Sequence, residues 1–241
     1  MEKIAVDAMG GDFAPLESVL GSIQAVREFK IPVVLVGDKE QILTILKNNH
    51  EENNPLIEIH HASEVIEMGE HPGLAYRKKK DASVSVGARL VRAKECGALV
   101  APGSTGAAVT AGLLGIGRIK GIERPAILTP IPNEKGRYTY LIDSGASAQP
   151  KVETYVQNAI LGYIYASKVA GIKNPRIGLL NIGEEDTKGS PLVTEANKVL
   201  QNQSIIPFSG NAEGRDIMTG EFAVVVTAGF PGNVVLNFGA G

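Results

Sequence analysis

A chain of 241 residues that is 44% hydrophobic can bury one large α/β domain or two small ones, and its single cysteine, Cys96, excludes a disulfide scaffold. A formal net charge of −2 leaves no footprint for nucleic acid, and no apolar run approaches the roughly 20 residues that cross a bilayer. Tryptophan is absent and aromatics make up only 5%, which argues against nucleobase stacking, while the unpaired cysteine and the lack of a secretory apolar region after Met1-Glu2-Lys3 predict a cytoplasmic location.

Lys3–Val6 reads as a buried strand, Leu16–Phe29 as a helix behind Pro15, Pro32–Val36 as a second strand and Gln41–Lys47 as the core of a second helix. This is a βαβα opening. Leu56–His60 is a third strand, the polar stretch Glu64–Asp81 reads as irregular, and Ser83–Glu95 is helical until Gly97 stops it. Ala98–Ala101 leads through Gly103-Ser104-Thr105-Gly106 into a small-residue helix, Ala107–Ile119. Ala126–Pro130 and Tyr138–Ile142 flank the turn signal Asn133-Glu134-Lys135-Gly136 and read as an antiparallel pair. A single α/β domain over 1–241 is expected, with a hairpin or second lobe beginning near 125–150. Pro150 opens a helix whose apolar residues from Val152 to Ile164 recur at three- and four-residue spacing, and Gly171 follows its end. Arg176–Ile182, Ile205–Phe208 and Phe222–Thr227 are strand candidates, with a helix at Leu192–Leu200 between the first two.

Five of the apolar runs end in polar loops that contain glycine: Ala8–Asp12, Gly103–Gly106, Asp143–Ser147, Gly183–Gly189 and Gly229–Asn233. In an open α/β sheet such loops gather at the carboxyl ends of the strands, where glycine lets backbone N–H groups approach an anion. A small anionic ligand is therefore expected. A dinucleotide is not, because Gly115, Gly117 and Gly121 miss the G-x-G-x-x-G spacing and no Walker A lysine follows the glycines. Nor is a metal expected: His60 and His61 face opposite sides of an extended chain, and Asp7, Asp12 and Asp143 at strand ends read as orienting groups.

The segments Ile4-Ala5-Val6-Asp7-Ala8-Met9-Gly10-Gly11-Asp12, His61-Ala62-Ser63-Glu64-Val65-Ile66, Gly117-Arg118-Ile119-Lys120-Gly121-Ile122, Gly178-Leu179-Leu180-Asn181-Ile182-Gly183 and Gly210-Asn211-Ala212-Glu213-Gly214-Arg215-Asp216 together give specificity that no one glycine pair has. With them the chain resembles the phosphate acyltransferase family, known as PlsX, from its first strand to its last residue. The resemblance implies a three-layer α/β fold like that of isocitrate and isopropylmalate dehydrogenases, with an open, mostly parallel sheet. That sheet is expected to be incomplete at the carboxyl end, because family members continue past the point matched by Gly241. It also implies a transferase that makes acyl phosphate from acyl-acyl-carrier-protein and inorganic phosphate for phospholipid synthesis. No cofactor, a homodimer and peripheral membrane association are the accompanying expectations.

Attack of phosphate on a thioester needs a cradle for the dianion and donors for charge on the carbonyl oxygen, with no enzyme nucleophile. Backbone N–H groups of Gly103, Ser104, Thr105 and Gly106, ahead of a helix, suit the cradle, and Gly10, Gly11 and Asp143 are further candidates for substrate contact. The same loop also reads as a tight βα turn without a ligand. By resemblance Lys188 and Asn233 are the catalytic candidates, against a solvated lysine and a turn asparagine as the plainer readings. The run Arg77-Lys78-Lys79-Lys80 suits the acidic carrier protein, or is a solvated charge run. Ser104, Ser147, Ala228 and Pro231 stand where the family usually has Asn, Asn, Asp and Thr. These changes weaken coordination and keep open a second reading, a catalytically impaired relative acting as a binding or scaffold protein.

Overall fold

The computed structural model describes residues 2–147 and 149–239; Met1 and Gly241, the bounds of the expected single domain, lie outside the described residues. The chain divides into two compact units, Met1–Lys120 and Gly121–Gly241, and each has its own sheet.

In the first unit, β1 (Ile4–Asp7), β2 (Val33–Gly37), β3 (Ile57–His61) and β4 (Ala98–Val100) form an all-parallel sheet in the order β3-β2-β1-β4. Its helices are α1 (Leu16–Phe29), α2 (Lys39–Asn48), α3 (Pro72–Lys78), α4 (Ser83–Arg92) and α5 (Thr105–Thr110). Val6, Val33 and Leu35 pack against Val19, Ile23 and Val26 of α1 and Ile42 and Leu46 of α2. The alternate residues Ala5, Val34 and Val36 pack on the opposite face against Val86 and Leu90 of α4 and Cys96, whose thiol pKa burial pushes up. Burial on both faces is why these strands read as unbroken apolar runs. Asp38 caps α2 by accepting Glu40 N–H and Gln41 N–H, each at 3.0 Å, and Lys30 ends α1 in the left-handed region with its N–H on Val26 O.

Two expectations for this unit change. The stretch read as irregular contains α3, started by Pro72 behind His71, whose Nδ1 accepts Leu74 N–H at 3.4 Å. Its polar composition hid it. The helix expected over 107–119 begins earlier, at Thr105, and from Ala111 to Ile116 widens into a π-helical segment closed by Gly117 at φ +108°. Gly115 lies in that segment, where an added Cβ would fall 2.6 Å from the Ala88 methyl of α4.

In the second unit, β5 (Leu128–Pro132), β6 (Tyr138–Ile142), β7 (Ile177–Leu180), β8 (Phe208–Ala212) and β9 (Val224–Val226) follow the order β5-β6-β9-β7-β8. Among the described residues only β5 and β6 pair antiparallel, as the turn signal between them predicts, and β6 joins the hairpin to the sheet by pairing with β9. The helices are α6 (Val152–Ile164), which continues as a π-helical segment over Tyr165–Val169, α7 (Pro191–Gln201), α8 (Asp216–Thr219) and α9 (Gly229–Gly239). Tyr140, Ile142, Ile177, Leu179, Val224 and Val226 pack with Tyr155 and Ala159 of α6 and Ala196 and Leu200 of α7. On the other face Leu141 and Val225 meet Ile217 of α8 and Val235 of α9. Each fully buried aliphatic residue here, such as Leu141 or Ile177, contributes about 1.5–3 kcal/mol relative to exposure.

The strand expected at 205–208 lies instead at 208–212, and the loop expected at 229–233 is the first turn of α9. Among the described residues no helix is long and apolar enough to cross a membrane. The architecture is α/β with mostly parallel strands, as the sequence predicts.

Candidate active-site loops

In the first unit the loops after β1 and β4, neighbouring strands, lie backbone to backbone. A Cβ on Gly10 would fall 2.8 Å from Gly103 N and 2.8 Å from Asp7 Oδ2, and one on Gly103 would fall 3.2 Å from Gly10 Cα. Gly11 sits beside Pro102 at φ +99°, a conformation that favours glycine. These glycines thus have a packing reason within the unit. Beneath them Asp7, 5% exposed, accepts Met9 N–H at 3.2 Å. Burial raises its carboxyl pKa above the ordinary 3.8, opposed by the Met9 N–H bond and by the nearby Ser83 hydroxyl and Gly10 N–H.

Ser104 caps α5, its Oγ accepting Ala107 N–H at 3.4 Å. Serine and asparagine are about equally good in that position, so Ser104 performs the capping that an asparagine would. Thr105 and Gly106 are the first helical residues, whose N–H groups point out of the helix start. Gly106 leaves room for Pro72, since a Cβ there would fall 2.5 Å from Pro72 Cγ, and this sets the starts of α3 and α5 side by side.

The basic run is split by its surroundings. Arg77 and Lys78 close α3 and are exposed, as is Lys80, whose ammonium lies 6.0 Å from the Tyr76 ring centroid. Lys79 turns inward and donates to Val65 O at 2.6 Å and Glu70 Oε2 at 2.5 Å, which holds the Glu70 carboxyl below its usual range.

In the second unit the loops that follow β6, β7 and β9 leave the same end of three adjacent parallel strands. Asp143, expected to touch substrate, is fully buried. Its Oδ1 accepts the N–H groups of Ile127 (3.1 Å), Gly145 (3.1 Å) and Ala146 (2.8 Å), and its Oδ2 accepts that of Ser147 (2.8 Å). The carboxylate shapes the 143–147 loop from below. The first turn of α9 rests on that loop: a Cβ on Gly229 would overlap the Ser147 carbonyl oxygen, and one on Gly232 would overlap the Asp143 carbonyl oxygen. Asn233, next in the turn, is exposed and donates from Nδ2 to Ser144 O at 3.5 Å. Ala228 packs within the apolar cluster under α6, and Ser147 is 2% exposed.

Lys188 is half exposed, and its Nζ lies 4.0 Å from Glu185 Oε1. The Lys188 carbonyl accepts from Asn181 Nδ2 at 2.9 Å and Thr194 Oγ1 at 3.2 Å. No role follows from the sequence pattern for Asn181, or for Asn211, whose Nδ2 donates to Glu185 O at 2.8 Å. The signal was present, since both fall in segments that carry the family resemblance.

The fold is shared with a branched-chain phosphotransacylase from Enterococcus faecalis, which superposes with a TM-score of 0.64 at 16% identity, covering 98% of this chain and 83% of that one. The chain belongs to the fatty acid synthesis protein family, whose family model matches residues 2–241. It is 49% identical over 239 residues to a phosphate acyltransferase from Pelotomaculum thermopropionicum, covering 99% of this chain and 69% of that relative. A phosphate acyltransferase from Desulfitobacterium hafniense is 51% identical over 237 residues, covering 98% of this chain and 70% of the relative. One from Aquifex aeolicus is 48% identical over 236 residues, with 98% and 69% covered.

Proposed function

We propose that this chain is a phosphate acyltransferase, which moves an acyl group from an acyl-carrier-protein thioester to inorganic phosphate and supplies acyl phosphate for phospholipid synthesis. The observation that carries this reading is identity near one half to phosphate acyltransferases, sustained over almost the whole chain. In the reaction a phosphate oxygen forms a bond to the thioester carbonyl carbon and the carbon–sulfur bond breaks. The proton of hydrogen phosphate ends on the departing thiol. No covalent enzyme intermediate is required, so the protein's task is to position the dianion and stabilise charge on the carbonyl oxygen.

We assign phosphate binding to the N–H groups at Gly103–Gly106, where a helix start and a Ser104 cap favour an anion. Gly10 and Gly11 support that loop from β1. We assign transition-state charge to Lys188 and Asn233, with Asp143 shaping the loop against which Asn233 rests. The scaffold alternative is not favoured, because the sequence similarity is to named phosphate acyltransferases and Ser104 retains the cap.

The exposed charges of Arg77, Lys78 and Lys80 fit an acidic carrier protein. Replacing all three with glutamate is expected to raise KM for the carrier thioester at least about tenfold at low salt, less so at high salt, with kcat little changed. An unchanged KM, read by steady-state kinetics, places the carrier elsewhere. A cytoplasmic homodimer that touches the membrane peripherally completes the proposal, supported by the exposed apolar residues Ile164 and Val169 at the end of the α6 region. Sedimentation showing only monomer at micromolar concentration, or no flotation with anionic vesicles, would remove the corresponding part. The activity itself is tested by phosphate-dependent release of free carrier thiol from the acyl thioester.

A further inference from the structure

We propose that Asn181, Asn197 and Asn211 are positioning residues that fix the loop carrying Lys188, an inference that rests on the assignment of Lys188 to the acyl-transfer chemistry. Asn181, just after β7, donates from Nδ2 to the Lys188 carbonyl at 2.9 Å, and its Oδ1 accepts Ile182 N–H at 2.8 Å. Thr194 of α7 adds a second bond to the same carbonyl at 3.2 Å. Asn211, on the edge strand β8, donates from Nδ2 to the Glu185 carbonyl at 2.8 Å. Behind it Asn197, fully buried on α7, donates from Nδ2 to Asn211 Oδ1 at 2.8 Å.

The order of these bonds has a directional consequence. A carboxamide presents its oxygen on one side and its NH₂ on the other. By holding the oxygen of Asn211, Asn197 aims the NH₂ of Asn211 at the loop. A buried polar pair between a helix and a strand costs desolvation that two aliphatic side chains would avoid. Here its outlet is a carbonyl of the loop. Lys188 N–H closes the turn on the same Glu185 carbonyl at 3.1 Å, so Asn211 and Asn181 grip the loop at 185 and 188. Gly189, at φ +96°, lets the chain pass close to Asn181, where a Cβ would fall 2.5 Å from its Oδ1. Arg215, four residues after Asn211, reaches the Glu184 carboxylate at 3.3 Å. The segments Gly178–Gly183 and Gly210–Asp216 thereby acquire a common purpose, which is to aim the Lys188 ammonium.

Asn211→Asp keeps the shape but turns an acceptor oxygen toward the Glu185 carbonyl, and Asn197→Leu removes the group that aims Asn211. For each variant of the full chain, kcat and KM for the carrier thioester are measured together with hydrogen exchange by residues 183–189. A misplaced lysine is expected to lower kcat at least about tenfold while KM stays within about twofold. Exchange over 183–189 quickens while β7 and β9 keep their protection. If Asn211→Asp does not fold, Asn197→Leu decides by the same readouts. If neither folds, or if kcat or loop exchange stays at the wild-type value while Lys188→Ala is strongly impaired, the positioning role is overturned. If Lys188→Ala is fully active, the assignment of Lys188 fails instead, and the exchange measurement alone decides whether the asparagines anchor the loop.

Discussion

Lys188→Ala is expected to lower kcat for acyl phosphate formation by about 10²- to 10³-fold, the loss typical of one well-aimed transition-state donor. The side chain is half exposed, and its nearest carboxylate, Glu185 Oε1, lies 4.0 Å away. At that distance and exposure the ion pair contributes little to stability, so deletion should leave the fold intact and act on the chemistry. KM for the carrier thioester should change far less than kcat, because the ammonium is assigned to charge that develops during reaction and not to the docking surface. Lys188→Arg is expected to restore only part of the loss, since a planar guanidinium cannot replace a compact ammonium in one position. Steady-state kinetics with equal circular dichroism for all three proteins is the check. An alanine variant with wild-type kcat would take Lys188 out of the mechanism.

The second large effect is on stability. Gly232→Ala is expected to cost about 3 kcal/mol, at the upper end of overpacking penalties, because the obstacle is backbone and cannot rotate away. The added methyl would overlap the Asp143 carbonyl oxygen and lie 2.9 Å from Thr227 Cγ2. Asp143 cannot yield, since four backbone N–H groups converge on its carboxylate, and moving it would leave buried donors unpaired. Relief therefore requires α9 to lift from the 143–147 loop, which carries Asn233 away from Ser144 and should also depress kcat. Gly214→Ala is the control, because nothing lies within 4 Å of the Cβ position there, and it should change stability by less than about 0.5 kcal/mol. Urea denaturation of the two variants compares them directly. Equal midpoints would show that α9 does not depend on its contact with the loop.

The elements legible in the sequence are those whose burial follows one period. Helix α1 matches its expected span because Pro15 precedes it and Val19, Ile23 and Val26 recur at helical spacing on one buried face. Strands β1, β2 and β9 were legible because both faces are covered, which leaves no polar alternation to blur the run. Helix α9 was not, because Gly229, Pro231 and Gly232 in succession read as a loop. In the folded chain the glycines are required by contact with the 143–147 loop, and Pro231 is tolerated because first-turn N–H groups need no intrahelical acceptor. Strand β8 was displaced by three residues, since Phe208–Ala212 carries Ser209, Gly210 and Asn211 where an apolar run was sought. Asn211 is polar because it serves the Lys188 loop, a tertiary reason that no local pattern contains. The π-helical segments likewise leave no periodic mark. Among the site candidates, Lys188 and Asn233 were legible only through family resemblance, whereas the inward turn of Lys79 toward Glu70 needed the fold of the 64–81 region.

The decisive measurement is product analysis after incubating the chain with an acyl-carrier-protein thioester and radiolabelled inorganic phosphate, with acyl phosphate read directly as label incorporated into lipid-extractable product and free carrier thiol read separately. Labelled acyl phosphate and free carrier thiol are expected in equal amounts, both dependent on phosphate and both strongly reduced in Lys188→Ala. Free carrier thiol without labelled acyl phosphate, or thiol released at the same rate when phosphate is omitted, would contradict acyl transfer to phosphate as the function of this chain.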